Sequence, residues 1–126
     1  MDEAREWLSQ SEYDLETAQA MLDSRRYIYA VFMCHMAVEK ALKALVVQRT
    51  GDAPPRTHSL VQLVGLASPN LTPDEIKFLT RLSSAGVSTR YPEELSKALD
   101  DFPPTVVQEY VRRAGEVVEC LRKQVS

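Results

Sequence analysis

The sequence has few of the residues that mark several large protein classes. Its 126 residues include four glycines and two cysteines, Cys34 and Cys120, which do not form a CxxC pair. We therefore expect buried thiols in a reducing, cytoplasmic setting rather than a disulfide framework. No apolar run approaches the ~18–20 residues of a membrane span, and the acidic start MDEAREW is unlike a signal peptide. Glycine-rich phosphate loops and GxSxG motifs are missing, which argues against enzymes that depend on them.

The charges are unevenly distributed along the chain. The net charge is -3, yet residues 25–90 carry nine bases and four acids and sum to +5, whereas residues 1–24 sum to -6 and residues 91–126 to -2. A basic middle segment can present a positive surface to an anionic ligand despite the pI of 5.4. The alternative is that these charges lie on solvated helix faces and pair with neighbours four residues away.

Helical periodicity predicts an all-α protein with a single domain over residues 1–126. We expect an up-and-down bundle of about five helices, four long and one short. Gly51 is expected to end the second helix, Thr57 to cap the short third one, and residues 85–103 to be irregular apart from one or two turns after Pro92. The last helix carries an apolar stripe that is wide for one buried face, which predicts a second contact surface. The predicted helices are 2–23, 27–50, 58–67, 73–84 and 104–124.

The second predicted helix carries the first group of polar residues with chemical potential. His35, Glu39 and Lys43 are spaced by four and therefore share one face. His35 can act there as a ligand or general base, since the unperturbed pKa of histidine is about 6.5; the alternative is a bundle histidine that hydrogen-bonds to Glu39. Two ligands do not make a zinc site, so we expect neither a metal nor a cofactor.

Two further segments place basic and aromatic residues together. Arg49, Arg56 and His58 precede the short helix, whose free N–H groups favour anions; the alternative is that His58 belongs to the first helical turn and the arginines are solvated. Arg90 followed by Tyr91 is a pair that can grip a phosphate and stack a base. The alternative for Tyr91 is that it anchors an irregular loop on the bundle.

These pieces together resemble a known family. The string CHMAVEKALKALVVQRTG, followed by PRTHSL and then TRYP, is similar to the HEPN domain (higher eukaryotes and prokaryotes nucleotide-binding), and the resemblance covers nearly the whole chain. It implies an all-α bundle that dimerises and a neighbouring gene for a minimal nucleotidyltransferase, in pairs commonly interpreted as toxin–antitoxin systems. It also implies, for many members, metal-independent ribonuclease activity from an Arg-x4–6-His motif at a dimer cleft.

The sequence departs from that ribonuclease motif. Residues 28–30, at the required distance before His35, and residues 51–53, before His58, contain no arginine. We therefore expect a non-enzymatic homodimer without catalytic residues that binds a nucleotide, an RNA or a nucleotidyltransferase partner. One alternative is a ribonuclease toxin with a nonstandard site built on His58 or His35 with Arg49, Arg56 or Arg90, and another is a purely structural helical dimerisation partner. The candidate ligand-binding residues are Glu39, Lys40, Lys43, Arg56, His58, Arg90 and Tyr91.

Overall fold

The computed structural model describes residues 2–126, which form six α-helices and no strand. The prediction of an all-α helical bundle is therefore confirmed, with one helix more than expected. The helices are α1 (Glu3–Asp23), α2 (Tyr27–Thr50), α3 (Leu60–Ala67), α4 (Pro73–Arg90), α5 (Leu95–Asp101) and α6 (Pro104–Gln124).

Helix α2 lies at the centre of the bundle and contacts each of the other five helices. A helix that is apolar around most of its circumference is stable only when other elements cover it, and 14 of the 24 residues of α2 are buried. Small residues such as Ala37 and Ala41 let α1 approach closely, and the Ser11 hydroxyl donates a 2.5 Å hydrogen bond to the Ala37 carbonyl. Any polar side chain on the covered faces of α2 consequently needs a partner inside the bundle.

Local capping residues set most of the helix ends. Asp2 caps α1 by accepting a 3.0 Å hydrogen bond from the Ala4 N–H. Gly51 ends α2 with a φ of 75°, a left-handed conformation that glycine adopts without the usual steric cost. Thr72 and Glu75 form a reciprocal capping box at the start of α4.

The start of α3 differs from the prediction. Ser59, not Thr57, caps this helix by accepting a hydrogen bond from the Gln62 N–H at 3.1 Å, so α3 begins two residues later than expected. The Thr57 hydroxyl accepts the Ser59 N–H instead. As a result His58 lies in the loop before α3 and not in its first turn.

The prediction for residues 85–103 was wrong for residues 85–90, whereas the one or two helical turns expected after Pro92 are present. Helix α4 continues to Arg90, because no proline interrupts it and the buried Thr89 hydroxyl donates a 2.7 Å hydrogen bond to the Ala85 carbonyl. It stops at Tyr91, since a residue before a proline is disfavoured in the helical region. Residues 95–101 then form α5, followed by Phe102, which packs edge-on against Tyr110 at 6.2 Å. The longer α4 carries residues 85–90 over the face of α2.

Contacts within the bundle account for the wide apolar stripe of α6. Val107, Ala114 and Leu121 are buried, and Tyr110 packs edge-on against Phe78 of α4 at a centroid distance of 5.6 Å. The apolar stripe of α6 thus packs against α2, α4 and α1 of the same molecule. No helix between residues 2 and 126 is both long and apolar enough to cross a membrane.

Candidate functional site

A buried carboxylate organises the polar residues of α2. Glu39 is only 2% exposed. Its Oε2 lies 3.0 Å from Nζ of Lys43, one turn further along α2, and its Oε1 lies 2.9 Å from Nδ1 of His58 in the loop before α3. Because a carboxylate only accepts hydrogen bonds, Nδ1 of His58 carries the proton in this pair. A buried charge is tolerated when it is paired and hydrogen-bonded, and Glu39 meets both conditions.

Lys43 is held inside the bundle from two sides. The residue is 7% exposed, and its ammonium also lies 5.5 Å from the centroid of the Trp7 ring on α1, in cation–π range. The sequence predicted Glu39 and Lys43 as ligand-binding residues. Both are buried and lie behind the residues that face solvent. Glu39 holds His58 in position, and Lys43 holds Glu39.

The other predicted basic residues lie elsewhere. Lys40 pairs with Asp14 of α1 at 2.8 Å. Arg49 donates hydrogen bonds to the carbonyls of Ala67 at 2.8 Å and of Ser68, and so caps the C-terminus of α3. It lies about 21 Å along α2 from His35, at 1.5 Å per residue. Arg56 is exposed in the loop between α2 and α3.

His58, Arg90 and Tyr91 meet at one cavity. This cavity has a volume of about 240 Å³ and is lined by His35 of α2, His58 of the loop, and Gly86, Val87, Arg90 and Tyr91 from the end of α4. We refer to it as the His35 cavity. His35 is 1% exposed, whereas the His58 side chain is 55% exposed and Tyr91 is 83% exposed. The His35 cavity therefore has a buried floor and an open mouth.

The His35 imidazole forms the floor in its neutral state. Burial lowers its pKa below the usual value of 6.5; the Glu39 carboxylate opposes this shift, and the Arg90 guanidinium reinforces it. Nδ1 lies 3.7 Å from Glu39 Oε1, too far for a hydrogen bond. Within residues 2–126 neither ring nitrogen makes a hydrogen bond of good geometry, although the nearby His58 backbone also raises the pKa of His35. Such a buried, unsatisfied group is rare in folded proteins and calls for an explanation.

Gly86 is a site residue that the sequence analysis missed. A Cβ atom at this position would lie 2.2 Å from Cδ2 and 2.8 Å from Nε2 of His35. Only glycine therefore allows α4 to approach the imidazole this closely. No local signal reveals this role, because the constraint comes from a different helix.

Arg90 is held in a fixed orientation beside His35. Its guanidinium carbon lies 5.2 Å from the centroid of the Phe32 ring, and Nη2 lies 3.7 Å from Sδ of Met36. Its Nε is buried and has no hydrogen-bond partner in the described part of the chain. No group of three or more His, Cys, Asp or Glu side chains in residues 2–126 is arranged to hold a metal ion. The site thus combines a neutral imidazole, a guanidinium and a second, carboxylate-oriented imidazole.

Comparison with known proteins identifies the family. The family model of the HEPN domain matches residues 4–124 of the sequence. The chain belongs to the HEPN family. Its fold is similar to that of TT1696 from Thermus thermophilus, with a TM-score of 0.82 and 24% identity over 98% of each chain. It is also similar to ST0689, an archaeal HEPN homologue, with a TM-score of 0.78 and 24% identity over 100% of each chain. A search of curated proteins found no match.

Proposed function

We propose that this HEPN domain binds a nucleotide at the His35 cavity and has no catalytic role of its own. The observation that carries the proposal is the meeting of His58, Arg90 and Tyr91 at one cavity, although His58 is distant in the sequence from the other two. An arginine supplies a permanent positive charge and several donors for a phosphate. An exposed tyrosine ring offers a face on which a base can stack.

The orientation of His58 supports the proposal. Its Nδ1 donates to Glu39, so its Nε2 is free to interact with a ligand at the mouth. Glu39 is itself held by Lys43, which makes the carboxylate a fixed support rather than a mobile acid. Such support from behind is how proteins keep a binding histidine in one tautomer.

The surface around the mouth supports a protein contact as well. Val87 in the last turn of α4 and Leu95 and Leu99 on the adjacent α5 are all exposed. Grouped exposed apolar side chains are typical of association surfaces. We propose that this surface is the seam of a homodimer, and that a nucleotidyltransferase partner of a toxin–antitoxin pair is a further binding candidate. Light scattering at micromolar concentration tests the dimer, and co-purification with the product of the neighbouring gene tests the partner.

A second candidate function is RNA cleavage, and one observation favours it. His35, His58 and Arg90 line the same cavity, so the fold assembles histidines and an arginine that the Arg-x4–6-His spacing does not provide. A histidine can take the proton of a 2′-hydroxyl while an arginine stabilises the phosphorane charge. Arg49, which the sequence offered as a partner, caps α3 instead.

One experiment separates these functions. The purified protein is titrated with nucleoside 5′-monophosphates by calorimetry and incubated with a short single-stranded RNA that is analysed on a gel. We expect binding without cleavage, and a loss of affinity in His58→Ala and in Arg90→Ala.

Arg122→Ala is the matched control, because it removes one exposed arginine from α6, where Arg122 pairs with Glu119. This variant should bind as the wild type does. RNA cleavage that His58→Ala abolishes would establish the second candidate instead. If neither binding nor cleavage occurs, nucleotide binding is refuted and the structural dimerisation role is left.

A further inference from the structure

We infer that the His35 cavity receives one uncharged nucleobase, while the phosphate stays outside at the mouth. This inference rests on the proposed function and goes beyond it, because it assigns each part of the nucleotide to a place. It also makes His35 the residue that contacts the base edge.

The hydrogen-bonding groups of the floor match a base edge. Glu39 Oε1 lies on the Nδ1 side of His35, so we place the imidazole proton on Nδ1. Nε2, which lies against Gly86, is then an acceptor. Nε of Arg90 is a buried donor without a partner in the described residues. The cavity thus offers one acceptor and one donor, and the Watson–Crick edge of every base presents both a donor and an acceptor.

The charges near the floor disfavour a phosphate there. The Glu39 carboxylate lies only 3.7 Å behind the His35 ring, and the ring itself is neutral. An anion that enters this position loses its hydration and meets a negative charge at short range. Lys43 is already paired with that carboxylate, and the Arg90 guanidinium, the other nearby cation, lies over the Phe32 ring. The mouth, where the His58 side chain is 55% exposed, keeps access to water and suits the phosphate better.

The dimensions of the cavity point the same way. Its volume of about 240 Å³ is below the range of about 300–1,000 Å³ that is usual for drug-sized ligands. It accommodates one ring system and not a base, a sugar and a phosphate together. The Tyr91 ring, exposed at the mouth, can stack on the part of the base that remains outside.

The test follows the histidine nitrogens directly. Protein labelled with ¹⁵N-histidine is titrated with four nucleosides, with their 5′-monophosphates and with ribose 5-phosphate, and the imidazole signals are recorded. We expect at least one nucleoside and its monophosphate to shift Nε2 of His35. Ribose 5-phosphate should shift His58 and leave His35 unchanged.

Two variants complete the test. Gly86→Ala pushes a methyl group into the His35 ring, and we expect it to abolish nucleoside binding. Its control is Gly65→Ala, where a Cβ meets nothing within 4 Å. Because Gly86→Ala can also disturb folding, Tyr91→Ser serves as a second variant at an exposed position. We expect it to weaken nucleoside binding about tenfold, since base–aromatic stacking accounts for a loss of this size.

The outcomes distinguish this inference from the proposed function. If monophosphates bind but ribose 5-phosphate binds equally well, or His35 does not respond, the base pocket is refuted while nucleotide binding stands. If no nucleotide binds at all, both are refuted. A nucleoside that shifts His35 and loses affinity in Tyr91→Ser confirms the assignment.

Discussion

The ion pair between Glu39 and Lys43 provides the sharpest test of how the site is built. Both residues are buried, and Nζ of Lys43 lies 3.0 Å from Oε2 of Glu39. Glu39→Gln keeps the shape of the side chain but leaves the Lys43 ammonium without a counter-charge. Breaking a buried pair in this way costs about 3–5 kcal/mol. The nearby Trp7 ring still stabilises the Lys43 cation. We therefore expect the free energy of unfolding to fall by about 3 kcal/mol, at the lower end of this range.

Urea unfolding of matched variants measures this loss. Asp74→Asn is the control, because Oδ2 of Asp74 also lies 3.0 Å from an Arg113 nitrogen, but the Asp74 side chain is 84% exposed. We expect this exposed pair to contribute about 0.2–1 kcal/mol. Glu39→Gln combined with Lys43→Met should recover most of the lost stability, since an apolar replacement removes the buried charge. Equal losses in Glu39→Gln and Asp74→Asn would refute the reasoning that burial sets the cost.

Three further predictions concern Arg49, the two thiols and His35. Arg49→Ala should lower the unfolding free energy by about 1 kcal/mol through lost C-capping of α3 and leave nucleotide affinity unchanged; a loss of affinity in calorimetry would contradict our assignment of the site. Burial raises the pKa of Cys34 to about 12, so a thiol reagent at pH 8 should modify only the half-buried Cys120 in the folded protein and both cysteines in urea. The lowered pKa of His35 has no effect on stability well above pH 6.5, where both states are neutral. Below pH 6.5 the unfolded chain binds a proton that the folded chain resists, so the unfolding free energy should fall by up to about 1.4 kcal/mol per pH unit until the folded pKa is reached. This decrease should be absent in His35→Gln, and an identical pH profile for the two proteins would show that the fold does not lower the pKa of His35.

The helices could be predicted where their signals are local. The observed bounds of α2 and α6 agree with the predicted 27–50 and 104–124, because Gly51 and Pro104 are signals that act within one turn. The sequence analysis did not predict a helix over residues 85–90. Burial of Ala85 and Thr89 in the bundle helps to stabilise this end of α4. Tertiary packing overrides weak local preference in such a stretch.

The candidate site could be predicted only in part. The spacing of four placed His35, Glu39 and Lys43 on one face, and the structure has them there. It could not show that this face is covered. The hydrogen bond from His58 to Glu39 depends on how the loop before α3 folds back over α2, and loop paths are not encoded in a helical period.

Short-range signals establish the all-α class, most helix ends and the set of polar residues available to the site, because these follow from the 3.6-residue period and from caps that act over three or four residues. Which of those residues meet depends on how the helices pack. This packing buries Glu39 and Lys43, makes Arg49 a cap for α3, and brings Gly86 against His35. The physical reason is that burial, charge pairing and a shifted pKa are properties of a side chain's surroundings, and neighbours distant in the sequence supply those surroundings.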